Sequence, residues 1–197
     1  MSIYSIAQKK VLFFDDFIQQ WGGTYQSHNA GSVNRIWSPW AGRDGVLQLQ
    51  ANNGYNSLRF NPNSLYIDSR KLVIEADISC VKNTGIQTFY FGLGDRHLGE
   101  LPQLNGVYLT ASTSDNQWYG YSYKGGVMLD SGVVASLSTA FQTVRIEVGS
   151  GVAVVGVGNS ELELTVQNNF AASLFFGIVN TGISWPSLLL DWVEISR

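Results

Sequence analysis

Lys71-Leu72-Val73-Ile74-Glu75-Ala76-Asp77-Ile78-Ser79-Cys80 decides the fold class. In extended chain successive side chains point to opposite faces, so Leu72, Ile74, Ala76, Ile78 and Cys80 share one face while Glu75, Asp77 and Ser79 share the other. Apolar residues on one side and polar ones on the other mark a half-buried strand of an antiparallel sheet. The same period recurs on both sides of it. Leu47 and Leu49 alternate with Val46, Gln48 and Gln50; Val144, Ile146 and Val148 alternate with Arg145 and Glu147; Leu162, Leu164 and Val166 alternate with Glu161, Glu163 and Thr165. Residues 11–17, 85–94 and 173–180 are apolar or aromatic runs of strand length.

Asn52-Asn53-Gly54, Asn83-Thr84-Gly85, Asn105-Gly106, Lys124-Gly125-Gly126 and Gly149-Ser150-Gly151 punctuate these runs with residues that accept positive φ, as tight β-connections require. The pattern predicts an all-β, antiparallel two-sheet sandwich of about a dozen strands, with a short helical turn near residues 137–141. Residues 22–43, 61–69 and 96–105 read as long connections, where sandwiches commonly place binding. No fixed-period repeat is present, which argues against a propeller or solenoid.

A chain of 197 residues with 45% hydrophobic content builds one substantial core, here residues 11–197, preceded by a segment 1–10. Ile3, Tyr4 and Ile6 suit that segment to docking as an arm on a neighbouring molecule. Only 14% of residues are charged and the net charge is -3, so the surface is carried by neutral hydrogen-bonding groups. Lys9-Lys10 and Arg70-Lys71 are the only adjacent basic pairs, which leaves no footprint for nucleic acid. The first ten residues do not read as a secretion signal, and no run approaches the ~18 apolar residues of a membrane span. The lone Cys80 lies on the apolar face of its strand and reads as a buried structural thiol.

Aromatic residues are the remaining source of chemistry. Tyr119, Tyr121 and Tyr123 share one face of a strand, with Trp118, Gly120, Ser122 and Lys124 on the other. Aromatics at period two read first as inter-sheet core or subunit interface; a sugar-stacking platform is the alternative, since rings cover sugar faces while hydroxyls reach their edges. Trp37, Trp40 and Trp185 fall in expected loops and are candidates for ligand or interface contact. His28 and His97 lack the spacing of a metal site, and Asp15-Asp16 reads as a solvated strand edge. The reading assigns no metal, no cofactor and no phosphate-cradling loop.

In their order along the chain, Phe13-Phe14-Asp15-Asp16-Phe17, the strand at 71–80, Gly106-Val107-Tyr108-Leu109, the hairpin at 118–134, the strand at 141–148 and a closing strand at 188–195 resemble the concanavalin A-like lectin and glucanase superfamily. The resemblance implies a jelly-roll sandwich whose first and last strands lie side by side. Hydrolases of that superfamily carry a Glu-x-Asp-x-x-Glu strand, in which the first Glu attacks and the last protonates. Laid on Glu75-Ala76-Asp77-Ile78-Ser79-Cys80 the first two positions match, but Cys80, or Ser79 in the shorter Glu-x-Asp-x-Glu form, stands where the proton donor belongs. No catalytic residue is therefore assigned. The expectation is a non-enzymatic structural protein of a bacteriophage virion, made in the host cytoplasm: a capsid decoration (cement) or tail-associated subunit. It would contact other virion subunits, form a homo-oligomer and avoid membranes. A carbohydrate-binding adhesion module is the alternative, and a laminarinase-type hydrolase comes third.

Overall fold

A computed structural model describes residues 11–15, 25–40, 43–60, 65–68, 70–82, 84–95, 105–184 and 186–197. They form fourteen strands and no helix among the described residues. In chain order these are β1 (Val11–Asp15), β2 (Tyr25–Trp40), β3 (Arg43–Phe60), β4 (Leu65–Ile67), β5 (Leu72–Val81), β6 (Gln87–Gly94) and β7 (Gly106–Ser112). There follow β8 (Gln117–Lys124), β9 (Val127–Ser136), β10 (Gln142–Gly149), β11 (Val152–Val157), β12 (Ser160–Thr165), β13 (Phe170–Asn180) and β14 (Ser187–Ser196). One path of neighbours runs β12-β11-β10-β5-β14-β3-β13-β6-β7-β8-β9, with β1 added to β14, β2 to β3 and β4 to β13. First and last strands pair as expected, Phe14 opposite Glu194 and Asp15 opposite Val193.

The path folds over on itself, so that β10–β12 cover the inner face of β7–β9. Alternation on β8 sets the contact: Trp118, Gly120 and Ser122 point inward. A Cβ on Gly120 would stand 2.6 Å from Val155 Cγ2 and 3.2 Å from Leu164 Cδ1, so glycine alone lets β11 and β12 approach this closely. Around that contact Phe89, Phe91, Leu109 and Trp118 interlock with Ile74, Ile146, Val155 and Leu188 in one buried cluster. Its polar groups are paired across the layers. Trp118 Nε1 donates to Gln142 Oε1 at 3.1 Å and Ser122 Oγ to the Thr165 carbonyl at 2.6 Å.

Three expected connections turn out to contain strand, the shortest being Leu65–Ile67 within the connection expected at 61–69, which forms β4 against β13. Residues 25–40, read as loop, form β2, which pairs with β3 from Tyr25 opposite Phe60 to Trp40 opposite Arg43. Among the described residues β2 pairs with β3 alone, and an edge strand of that kind tolerates polar residues and Pro39, with its register shifting between Ser38 and Trp40. Asn52-Asn53-Gly54, read as a turn, lies inside β3. Residues 47–50 of β3 pair with β14 and residues 54–59 with β13, so the chain turns a corner between the layers instead of reversing. Asn53 takes φ 47 there, and its N–H donates to the Gly182 carbonyl at 2.9 Å. Residues 137–141 form a bend and no helical turn, fixed by the Ser138 N–H donating to Gln142 Oε1 at 3.0 Å. The expected turns at Gly125-Gly126 and Ser150-Gly151 are present with positive φ throughout.

Gly120→Ala is expected to cost about 1–3 kcal/mol through overpacking against Val155. A lowered urea midpoint with unchanged denaturant slope checks this, and wild-type stability would place the layer contact elsewhere.

Candidate functional site

The outer face of β6, β7 and β8 carries the tyrosines. Register aligns them in transverse rows: Tyr90, Thr110 and Tyr119 lie side by side, as do Gly92, Tyr108 and Tyr121, while Tyr123 stands beside Gly106 and Thr88 beside Ser112. Directly opposed residues share a face, so all project away from the main core. Gly92 makes room for the centre of the group. A Cβ there would fall 2.2 Å from Tyr108 Cβ and 2.7 Å from the Val107 carbonyl oxygen. Tyr108 accordingly lies down over Gly92 and is only 4% exposed.

Its ring stacks on Tyr121 and Tyr123, each at 5.7 Å between centroids, and meets the edge of Phe175 at 6.0 Å. Tyr90 at 6.4 Å completes the cluster, and Tyr119 extends it at 6.3 Å from Tyr121. Over these rings opens a cavity of about 700 Å³, lined by Thr88, Tyr90, Tyr108, Thr110, Ser112, Asp115, Tyr119, Tyr121 and Tyr123. It combines aromatic faces with hydroxyl groups, and its one charged lining side chain among the described residues is Asp115.

The hydroxyls hold their protons. Burial pushes the Tyr90 phenol up to about 12. Burial, followed by the neighbouring Tyr123, raises Tyr108 further still, and burial also raises Tyr121. The Tyr119 phenol is raised chiefly by its hydrogen bond to the Asp115 carboxylate. At neutral pH Tyr90, Tyr108, Tyr119 and Tyr121 thus present neutral phenols, of which Tyr119 already donates its proton to the Asp115 carboxylate. The turn after β7 fixes Asp115: its Oδ1 accepts the Gln117 N–H at 3.3 Å.

Of the residues singled out in the sequence, Tyr119, Tyr121 and Tyr123 come together here, on the outer face and not in the inter-sheet core. Tyr90, Tyr108, Thr88, Thr110, Ser112 and Asp115 were not anticipated. Their signal is the alternation Thr88/Tyr90 against Phe89/Phe91 and Tyr108/Thr110 against Leu109/Ala111, masked because both faces are apolar or aromatic. Trp37 and Trp40 belong to β2 and not to a loop, with side chains outside the described residues. Trp185 and the arm residues Ile3, Tyr4 and Ile6 lie outside the described residues.

Glu75 and Asp77 stand apart from the cavity, on β5. Arg145 Nε lies 3.3 Å from Glu75 Oε1, and Arg145 also reaches Glu147 at 2.5 Å and Glu161 at 3.6 Å. Asp77 is buried between Thr143 and Trp192 on the flanking strands. Cys80 is buried, and desolvation pushes its thiol far above the ordinary range, which leaves it unreactive.

The sandwich has solved structural counterparts. The carbohydrate recognition domain of Emp47p superposes with TM-score 0.70 at 13% identity, covering 94% of this chain and 96% of that one. The chain has the concanavalin A-like lectin and glucanase fold. The catalytic domain of an endo-1,3-beta-glucanase (laminarinase) from Thermotoga petrophila matches with TM-score 0.69 at 12% identity over 96% and 98% of the two chains. A beta-glucanase of Bacillus licheniformis matches with TM-score 0.69 at 13% identity over 94% and 97%. No protein-family model and no curated protein matches the sequence.

Raised phenols make a pH prediction. An unfolded tyrosine loses its proton near pH ~10, whereas folded Tyr90 keeps it to about 12. Tyr90 therefore contributes its stability in full below the unfolded value and loses it as pH rises through the folded one. Urea midpoints are expected to decline above pH ~10, and Tyr90→Phe is expected to make that decline shallower. An identical alkaline profile in the variant would refute the assignment.

Proposed function

We propose that this protein is a non-catalytic glycan-binding module whose tyrosine cavity takes a neutral oligosaccharide. The cavity carries the reading: Tyr90, Tyr108, Tyr119, Tyr121 and Tyr123 offer ring faces for stacking, and their phenols, with Thr88, Thr110 and Ser112, offer hydroxyls at the spacing of neighbouring strands. Structural likeness to the carbohydrate recognition domains of Emp46p and Emp47p supports it. Charge selects among glycans. A lining whose one described charge is the Asp115 carboxylate repels uronates and sulfated sugars, so the ligand is uncharged.

Binding without hydrolysis follows from the same lining. Glycosidases place two carboxyl groups about 5–9.5 Å apart across the scissile bond. Here the described lining supplies Asp115 at one end, and Glu75 is engaged by Arg145 on a different strand set. A subunit on the surface of a bacteriophage particle, assembled from several copies, is compatible with this reading, because such a subunit can carry a glycan-binding cavity.

Tyr121→Ala is expected to weaken binding to neutral oligosaccharides by about 1–2 kcal/mol, a fivefold to thirtyfold loss, through the missing stack and hydroxyl. Tyr121→Phe should lose only the hydroxyl's share. A glycan array followed by calorimetric titration measures both. Absence of binding to every neutral glycan would overturn the proposal, and reducing ends released from a bound glucan would overturn its non-catalytic part.

A further inference from the structure

The tyrosine face continues past the cavity. β9 pairs with the free side of β8, setting Val133 opposite Tyr119, Ser131 opposite Tyr121 and Met128 opposite Tyr123. Opposed residues share a face, so Val133 and Ser131 continue the tyrosine face, and Met128 joins them past a register shift that leaves Leu129 as the extra residue. Val133 is 55% exposed and Met128 50% exposed. A single exposed Val or Met is unremarkable, but these two flank a hydroxyl and run parallel to the outer edge of the cavity. Neighbouring strands lie ~4.8 Å apart, so this row stands one strand spacing beyond the tyrosine rings.

The row has a definite chemistry: methyl groups at both ends and a hydroxyl between them. The Ser131 N–H is already held by Asp130 Oδ1 at 2.9 Å, which fixes the backbone beneath that hydroxyl. The cavity keeps sugar rings over the tyrosines, and whatever projects from a ring toward β9 meets an apolar contact beside a hydrogen-bond donor. An unbroken alkyl chain would have to cross Ser131, and a free sugar hydroxyl would leave Val133 and Met128 uncovered. A short ester beside Ser131 satisfies both parts, its carbonyl on the hydroxyl and its methyl on the apolar side chain to one side.

We propose that the site recognises O-acetylated neutral glycans, with sugar rings in the tyrosine cavity and acetyl groups on the Val133, Ser131 and Met128 row of β9. This inference rests on the glycan-binding reading above. It adds a specificity surface that the cavity lining does not include.

Affinity electrophoresis tests it, using mixed-linkage β-glucan, xylan and glucomannan, each as an O-acetylated and an alkali-deacetylated sample. Retention is expected to be stronger on at least one acetylated polymer than on its deacetylated form, by about fourfold for each methyl buried. Val133→Ser combined with Met128→Gln should erase that difference while leaving retention on the deacetylated polymer unchanged. Both positions are exposed, so folding should survive, and the urea midpoint verifies this. Equal retention of both forms overturns the acetyl proposal and leaves glycan binding intact. No retention on any polymer overturns both. A fall in sedimentation mass in the double variant would identify β9 as a contact between copies and would also overturn the acetyl proposal.

Discussion

The close approach of β11 and β12 to Gly120 is the constraint on which the rest depends. Because the residue there has no side chain, Val155 and Leu164 settle against β8, and this fixes which face of β8 is inside. Strand alternation then leaves no choice for the other face. Trp118 and Ser122 go inward to Gln142 and the Thr165 carbonyl, and Tyr119, Tyr121 and Tyr123 go outward. A slip of one residue would exchange the two sets, driving three phenols into the core and leaving an indole in water. Fold and site are thus two sides of one strand.

A second glycine plays the complementary part on the outer face. Gly92 gives Tyr108 a place to lie flat, and the flattened ring then gathers Tyr121, Tyr123, Tyr90 and Phe175. Rings held in this way have little rotamer freedom left to lose when a ligand arrives, so less of the contact energy is consumed in ordering them. Two missing side chains, one on each face, make the cavity rigid and accessible.

How far the sequence could be read depends on contrast between faces. β5, β10 and β12 alternate polar with apolar residues, and all three are where the pattern predicts. On β6 and β7 the contrast disappears, since Phe89 and Phe91 alternate with Tyr90, and Leu109 with Tyr108. The five lining residues of β6 and β7 are hidden for that reason, although the tyrosines of β8 are visible against Gly120 and Ser122. β2 failed for the opposite reason, as its polar residues carry little apolar signal and its pairing is imposed by β3. At Asn53 the residue type predicts the positive φ but not its consequence: positive φ turns a strand from one layer to the next, because the Gly182 carbonyl and the switch of partner from β14 to β13 hold it extended.

The two outer surfaces divide charge between them. On the β5 and β10 side, Glu194, Glu75, Arg145, Gly156 and Glu161 fall in one transverse row, and the absent side chain at Gly156 lets Arg145 reach across to Glu161. These pairs are partly exposed and contribute little to stability individually, so the acids that resemble a catalytic strand serve as one half of a polar sheet surface. On the tyrosine side burial keeps Tyr90, Tyr108 and Tyr121 protonated, and Asp115 is the one charge in the described lining of the cavity. A ligand recognised there meets hydrogen bonds and ring faces, neither of which is screened appreciably by salt or altered by pH across the neutral range. Association through such a surface is governed by shape and by the arrangement of hydroxyls, which is the form of selectivity that distinguishes one uncharged sugar from another.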